Sequence, residues 1–589
     1  MTVRSRASLV LLGPMLLVGC ASGPSLAELE QAAKDAERAQ QGEESFSPVG
    51  GAVEPEWYRG PGVIQSTAGP ARFVRDVRDG FDRQRMETRL AWLDTQYRAP
   101  GNDDFEAALD AIEDELRAAG YGAEGSYLEL TYVEADAPIP AWTPLRASLD
   151  LIEPGSEAIR LHGFEDRNDR DRVMLPIQAP SASIEAEAAM GLSELEEGMI
   201  LVTEAPVYQV VDRAKRRGAI GIVSASLGSY NVDPTGRERH LDAIQYRRLR
   251  PDQELPICQV SPRTYARIEA AASRGGARLR FEADVRIEPR PSRTLVATVV
   301  GVRHPERVVG ISSHLHEPGA NDNGSGVATM VDSALLLARG IEDGAIERPD
   351  LSIAFVIGDE MEQTRVYLAR TEREVVAGIS ADMTGESYAE TGAIALLERM
   401  PDPGAVAVYP PDQHTPWGAG EVELEELAPS GLAVIARCAM VDVGQVEGGW
   451  ASADHPWEGG SDHDVYIEQG VPAVLFWHFT DFAYHTSLDR LEMVDVDEMV
   501  RTGTAILSTA LAVASAKPTD LDRYVRSLDI ERRVRVQAAE TALDPRIVNA
   551  WEEWCFEARA WLRSLCLDIP LEIARPPRAE VSPATGSGG

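Results

Sequence analysis

From Phe73 onward the apolar positions of this chain recur first at helical and then at strand spacing. Met86, Leu90 and Leu93 fall on one helix face, and Phe105, Leu109, Ile112 and Leu116 fall on another after the turn Gly101-Asn102-Asp103-Asp104. Gly120 closes that second helix, and Tyr127 to Val133 alternates as a half-buried strand does. Between about Pro144 and Pro291 the pattern changes. Gly198 to Val202 reads as a buried strand, Val207 to Arg217 as a helix and Gly218 to Val223 as another strand, a small βαβ-like unit.

Beyond it come continuous apolar runs, Thr294 to Gly301, Val308 to Ser312 and Leu351 to Ile357, joined later by Leu432 to Ala436 and Val471 to Phe476 as further strands. Helices are expected over 327–339 and 496–514, the latter with Asp495 as its N-cap. Uninterrupted apolar strands alternating with helices predict an α/β fold: a mostly parallel central sheet flanked by helices, carrying an inserted smaller α/β or β-rich domain. The division that follows is 73–143 and 292–517 for the main unit, 144–291 for the insert, and 518–574 for a C-terminal helical segment rich in Trp. A polar tether over 20–55 and a Pro/Ser/Gly tail over 575–589 complete it.

Composition narrows the function classes. The formal net charge of −38 argues against nucleic acid, whose phosphates would be repelled. At the N-terminus Arg4 and Arg6 precede the apolar Ala7 to Val18, and Leu17-Val18-Gly19-Cys20-Ala21 follows. This looks like a bacterial lipoprotein signal, which implies removal of residues 1–19, lipidation of Cys20 and anchoring at the cell envelope. The remaining cysteines, Cys258, Cys438, Cys555 and Cys566, are too scattered for a disulfide framework or a thiolate metal site.

The chemistry concentrates in Ser313-His314-Leu315-His316-Glu317-Pro318-Gly319-Ala320-Asn321-Asp322-Asn323-Gly324-Ser325-Gly326. Asp359-Glu360 and Asp382 each follow an apolar run, and His485 stands in Tyr484-His485-Thr486. Imidazoles and carboxylates placed after strand ends are the ligand types of a two-metal hydrolase. On these motifs and their order the chain resembles the zinc aminopeptidase family that includes glutamate carboxypeptidase II and the catalytically inert transferrin receptor. The insert resembles a protease-associated domain.

The resemblance implies two zinc ions, with cobalt and manganese suited to the same ligand types, and peptide substrates. It implies one ion held by His314 and Asp382, a second by Glu360 and His485, and Asp322 bridging both. Asp359 stands where that family has a glutamate acting as general base, one methylene shorter. His316 stands where relatives carry an aspartate that orients the first histidine. Ser461-Asp462-His463 matches a segment lining the site, and Tyr484 is counted with Asp462 and His463 among residues around the metals or substrate. The leading expectation is an aminopeptidase; the alternatives are a carboxypeptidase or dipeptidase of the same family and a binding protein that has lost catalysis.

Overall fold

The computed structural model describes residues 67–575 except 138, 167 and 168. The signal segment, Cys20, the tether and the tail from 576 onward lie outside the described residues. In chain order the strands are β1 (Leu128–Ala135), β2 (Ala141–Ile152), β3 (Ile159–Phe164), β4 (Ala182–Met190), β5 (Ile200–Thr203), β6 (Gly221–Ser224), β7 (Ile257–Gln259) and β8 (Arg278–Glu288). They continue with β9 (Ser292–Val299), β10 (His304–His314), β11 (Leu351–Gly358), β12 (Glu374–Ala381), β13 (Ile394–Glu398), β14 (Ser452–His455) and β15 (Ala473–Phe479).

Eight strands form the central sheet in the order β1-β9-β11-β10-β12-β15-β13-β14. Its middle is parallel: β10 pairs with β11 and β12, and β12 with β15. Antiparallel pairs join β1 to β9, β9 to β11 and β13 to β15. Every residue of β11 is buried, as a strand covered by helices on both faces must be. The covering helices include Gly324–Glu342, Leu432–Glu447 and Val496–Ala514. Asp495 caps the last of these by accepting from the Asp497 N–H at 2.9 Å.

A second sheet of seven strands, ordered β3-β2-β8-β4-β5-β6-β7, is built by the chain between β1 and β9. The register explains how it attaches. β1 and β9 pair antiparallel from Leu128 and Val299 to Ala135 and Ser292, and β2 and β8 take up the same pairing from Ala141 and Glu288 onward. The insert therefore grows from a two-stranded ribbon leaving the edge of the central sheet. β5, the helix Val207–Arg216 and β6 make a parallel βαβ unit within it.

One expected strand is corrected. Leu432 to Ala436 opens the sixteen-residue helix Leu432–Glu447, because a short apolar run does not itself distinguish a buried strand from a buried helix. The strands β13 and β14 had no counterpart in the sequence pattern. Cys555 and Cys566 lie in the helix Pro545–Leu567, and all four cysteines of the described residues are free and buried. No helix among the described residues is long and apolar enough to cross a membrane.

Candidate metal centre

Four neighbouring parallel strands deliver the chemistry to one edge. His314 is the last residue of β10, Asp359 and Glu360 follow β11, Asp382 follows β12, and the loop after β15 carries His485. This is where open parallel sheets gather ligands.

The loop from Leu315 to Asn323 is held on both sides. Arg98, fully buried, donates to the Leu315 and Gly319 carbonyls at 3.0 and 2.7 Å. Asp489 accepts from the Asn321 and Asp322 N–H groups at 2.7 and 2.9 Å. Gly319 is required by that approach: a Cβ there would stand 2.0 Å from the Asp489 Oδ2. Asn323 caps the helix Gly324–Glu342 by accepting from Gly326 N–H at 3.1 Å, and the Asp322-Asn323 peptide is cis. Four non-glycine residues with positive φ, Glu317 (85°), Met361 (59°), Met383 (44°) and His485 (55°), lie in or beside the cluster. Such conformations gather at functional sites.

The Nε2 of His314 lies 3.1 Å from Asp382 Oδ2, 3.7 Å from Glu360 Oε1 and 3.9 Å from Asp322 Oδ1. The Nε2 of His485 lies 3.0 Å from Asp322 Oδ2 and 3.0 Å from Glu317 Oε2. Donors about 2.0–2.2 Å from a tetrahedral zinc stand roughly 3.3–3.6 Å apart, so both groups have the spread of a ligand set. Asp322 offers one oxygen to each.

Although His314 Nε2 is near Asp382, neither it nor the buried Asp382 Oδ1 has a hydrogen-bonding partner in this structure. The other ring nitrogen of His314 meets the His316 carbonyl oxygen at 3.2 Å. Donation from Nδ1–H to that oxygen leaves the Nε2 lone pair facing the carboxylates.

Five carboxylates, Glu317, Asp322, Asp359, Glu360 and Asp382, and three imidazoles, His314, His316 and His485, meet here, mostly buried. Burial alone would lower the pKa of His314, but Asp382 and Glu360 outweigh it and hold the imidazole well above its usual value. His485 is raised in the same way by Glu317 and Asp322. Burial, with Glu317 close by, pushes Asp322 well up, whereas His485 outweighs burial at Glu317 and holds that acid well down. Glu360 is raised by burial, with Glu317 and Asp382 adding to it. An acidic surplus of this kind, buried among orphaned ligand atoms, fits divalent cations.

The surrounding residues divide. Glu360 N–H donates to His316 Nδ1 at 3.2 Å, so the proton of that ring stands on Nε2, 3.5 Å from Glu317 Oε1. The hydrogen bond that holds His314 thus comes from the main chain of His316 and not from its ring. Asp462 is fully buried and accepts from Met361 N–H, Thr364 Oγ1–H and Gln363 Nε2–H at 2.8, 3.0 and 2.7 Å, fixing the turn after Glu360. Ser461 donates to Asp382 Oδ2 at 2.9 Å. Tyr484 stacks on the His485 ring, with centroids 3.9 Å apart.

His463 is the exception. Its Nε2 lies 2.8 Å from Glu398 Oε1, in a separate buried network with His455 and Glu458. In that network Trp477 donates to His455 Nε2 at 2.9 Å and His455 Nδ1 meets the Pro456 carbonyl at 2.8 Å. Both nitrogens of its histidine are committed to hydrogen bonds, and His463 does not join the His314 cluster.

The structure also brings forward residues that sequence reasoning did not select. Glu317 takes the place beside His485 that was expected of Glu360, while Glu360 sits on the His314 side. The signal was a carboxylate directly after His-x-His, before Pro-Gly. Asn231 and Gln245 of the insert hold the His485 loop: Asn231 donates to the Phe482 and Tyr484 carbonyls at 2.9 and 2.8 Å, and Gln245 to the His485 carbonyl at 2.6 Å. Nothing local in the sequence marked them. A cleft borders the site, its wall including Trp142, Gln178, Arg248, Arg290, Asp359 and Glu362.

Residues 294–510 match the sequence model of Peptidase family M28. Among solved structures it is similar to the aminopeptidase from Aneurinibacillus sp. strain AM-1, at 15% identity over 75% of this chain and 96% of that one, with a TM-score of 0.44. It is also similar to BSAP, a zinc aminopeptidase from Bacillus subtilis, at 12% identity over 74% and 96% with a TM-score of 0.49. A third is the peptidase M28 precursor from Shewanella amazonensis SB2B, at 15% identity over 83% and 98% with a TM-score of 0.48. These are likenesses of fold. No curated protein sequence matches the chain.

Proposed function

We propose that the chain is a zinc-dependent aminopeptidase with two metal ions, hydrolysing the N-terminal bond of peptides. The observation that carries the reading is the division of Asp322 between two imidazoles, Oδ1 toward His314 and Oδ2 toward His485. His314, Asp382 and Glu360 would hold one ion, His485 the other, and Asp322 both. Bound there, the pair would supply a water acidified toward neutral pH and a Lewis acid for the scissile carbonyl.

The remaining steps belong to this chain's own groups. Asp359 is the proton carrier: its Oδ1 is buried without a hydrogen-bond partner, and its side chain lines the cleft. It would take a proton from the attacking water and return it to the leaving amine. Asp462 and Ser461 fix Glu360 and Asp382, and the bonds from Asn231 and Gln245 fix His485. In the same reading residues 144–291 form a protease-associated-like domain, and Cys20 carries the lipid that places the enzyme at the cell envelope.

The test is cleavage of a mixed peptide pool by the zinc-loaded protein, read by mass spectrometry, with His314→Ala beside it. Removal of N-terminal residues from peptides with a free α-amine, absent in the variant, is expected. Trimming from the carboxyl end would replace the aminopeptidase with a carboxypeptidase. Two bound metals with no cleavage would leave a binding protein.

A further inference from the structure

We infer that Glu317 is a metal ligand, completing the second ion site with Asp322 and His485. The inference rests on the two-ion reading above and adds a residue to it. Around His314 three carboxylates converge, from Asp382, Glu360 and Asp322. Around His485, among the described residues, Asp322 and Glu317 do, each at 3.0 Å from Nε2. Without Glu317 the second site would have two protein donors, one fewer than zinc keeps even at open catalytic positions.

The loop is built to present this side chain. Glu317 is 6% exposed, and its φ of 85° is one that glycine adopts freely and an L residue does not. Its N–H donates to the Arg98 carbonyl at 3.1 Å, and Arg172 donates to the carbonyl of the next residue, Pro318, at 2.7 Å. The two carboxylate oxygens have separate tasks. Oε1 faces the Nε2–H of His316 at 3.5 Å, and Oε2 faces His485. A polar neighbour outside the metal ligands commonly orients a metal-bound carboxylate. Glu317 also belongs with His314 and Asp322 in one group, and with His316 and Glu360 in another, of side chains whose ligand atoms converge within 4.8 Å. It lies between the two halves of the centre.

The rival reading makes Glu317 a proton acceptor that replaces the short Asp359. Metal stoichiometry separates the two. The full-length protein, stripped by chelator, is titrated with Zn²⁺ in a calorimeter and with Co²⁺ by visible absorption. The wild type is expected to bind two ions. Glu317→Gln is expected to keep one at wild-type affinity and to weaken the other by about a hundredfold or more, beyond the loss typical of outer-shell changes. Combining it with His485→Ala should cost no further ion, since both changes strike one site.

Glu317→Asp, which keeps a carboxylate, guards against misfolding of the glutamine variant and should weaken that same ion alone. Two ions bound by Glu317→Gln at unchanged affinity would overturn the inference, even if activity vanished, because a pure proton acceptor leaves metal binding intact. A wild type that binds fewer than two ions would overturn the two-ion reading and this inference with it.

Discussion

Asp359 and Glu317 show what single residues contribute to this centre and how far each was legible. His314, Asp322, Glu360, Asp382 and His485 stand in short motifs at strand ends, and the structure brings all five to one edge of the sheet. The partner of His485 was not legible, because it depends on how the turn at Glu317 folds back, with a φ that sequence does not announce. Replacing Asp359 with Asn should lower kcat by about 10²–10⁴-fold, the usual contribution of a positioned proton carrier. Metal stoichiometry should stay as in the wild type, and a loss of bound ion would instead make Asp359 part of the metal shell. Glu458 gives a prediction away from the metals. Burial, with Glu398 nearby, pushes its carboxyl up to about 8, against the stabilising bonds from Thr415. His414 Nδ1 at 3.2 Å and His455 Nδ1 at 3.6 Å also face it. A carboxyl whose pKa is raised on folding stabilises the fold below its unfolded value, near pH 4.5, and that contribution is lost as pH rises through about 8. Thermal unfolding of the wild type should therefore show a loss of stability between about pH 4.5 and 8 that Glu458→Gln reduces; parallel profiles would discard the assignment.

At the scale of elements, the segment between β1 and β9 holds the loop that carries His485. Besides the bonds from Asn231 and Gln245, the Tyr246 N–H donates to the His485 carbonyl at 2.7 Å. Ile244 and Ser487 exchange two hydrogen bonds, at 3.0 and 2.8 Å. The loop after β15 is thus laid against the segment that precedes β7 almost as a strand would be, with an antiparallel bridge between Gln245 and Thr486. Asn231 and Gln245 are each 1% exposed; removing Asn231 takes the side-chain donor from the Phe482 and Tyr484 carbonyls, and removing Gln245 leaves the His485 carbonyl with the Tyr246 N–H. The double variant Asn231→Ala, Gln245→Ala should lose about tenfold to a hundredfold in kcat/KM, the scale expected when a catalytic group moves by about 1 Å. In the proposed two-ion centre, affinity for one ion should fall in parallel. Wild-type kinetics would show that His485 is placed by its own loop. Sequence periodicity disclosed the βαβ unit of the insert but not this contact, because a clamp of side-chain amides on main-chain carbonyls has no period. The helix Leu432–Glu447, expected as a strand, shows the same limit: apolar runs report burial more securely than they report conformation.

Over the whole molecule, the C-terminal helices share one hydrophobic core with the central sheet. Tyr524, Leu528, Ile547, Trp551 and Leu562 are buried in the cluster that also contains Ile311, Phe355 and Val474. Buried ion pairs tie these helices to the rest, that of Arg523 and Asp442 among them. Arg523, from the helix Pro518–Thr541, donates twice to Asp442 of the helix Leu432–Glu447, at 2.8 and 2.7 Å, with both side chains at least 96% buried. The same guanidinium donates to the Ala68 carbonyl at 2.8 Å, tying the first described residues to the last helices. Removing one member of such a pair leaves a buried charge without its counter-ion, a loss of about 3–5 kcal/mol, whereas replacing both by apolar side chains of similar volume is often near neutral. Arg523→Ala should therefore lower the stability of the whole described unit by about that amount, in calorimetry that still shows the sheet and the C-terminal helices unfolding together. Arg523→Met with Asp442→Leu should recover most of the loss. If instead the single variant gives a separate low-temperature transition, with the zinc-dependent activity persisting above it, the C-terminal helices are a detachable module and the central sheet stands without them.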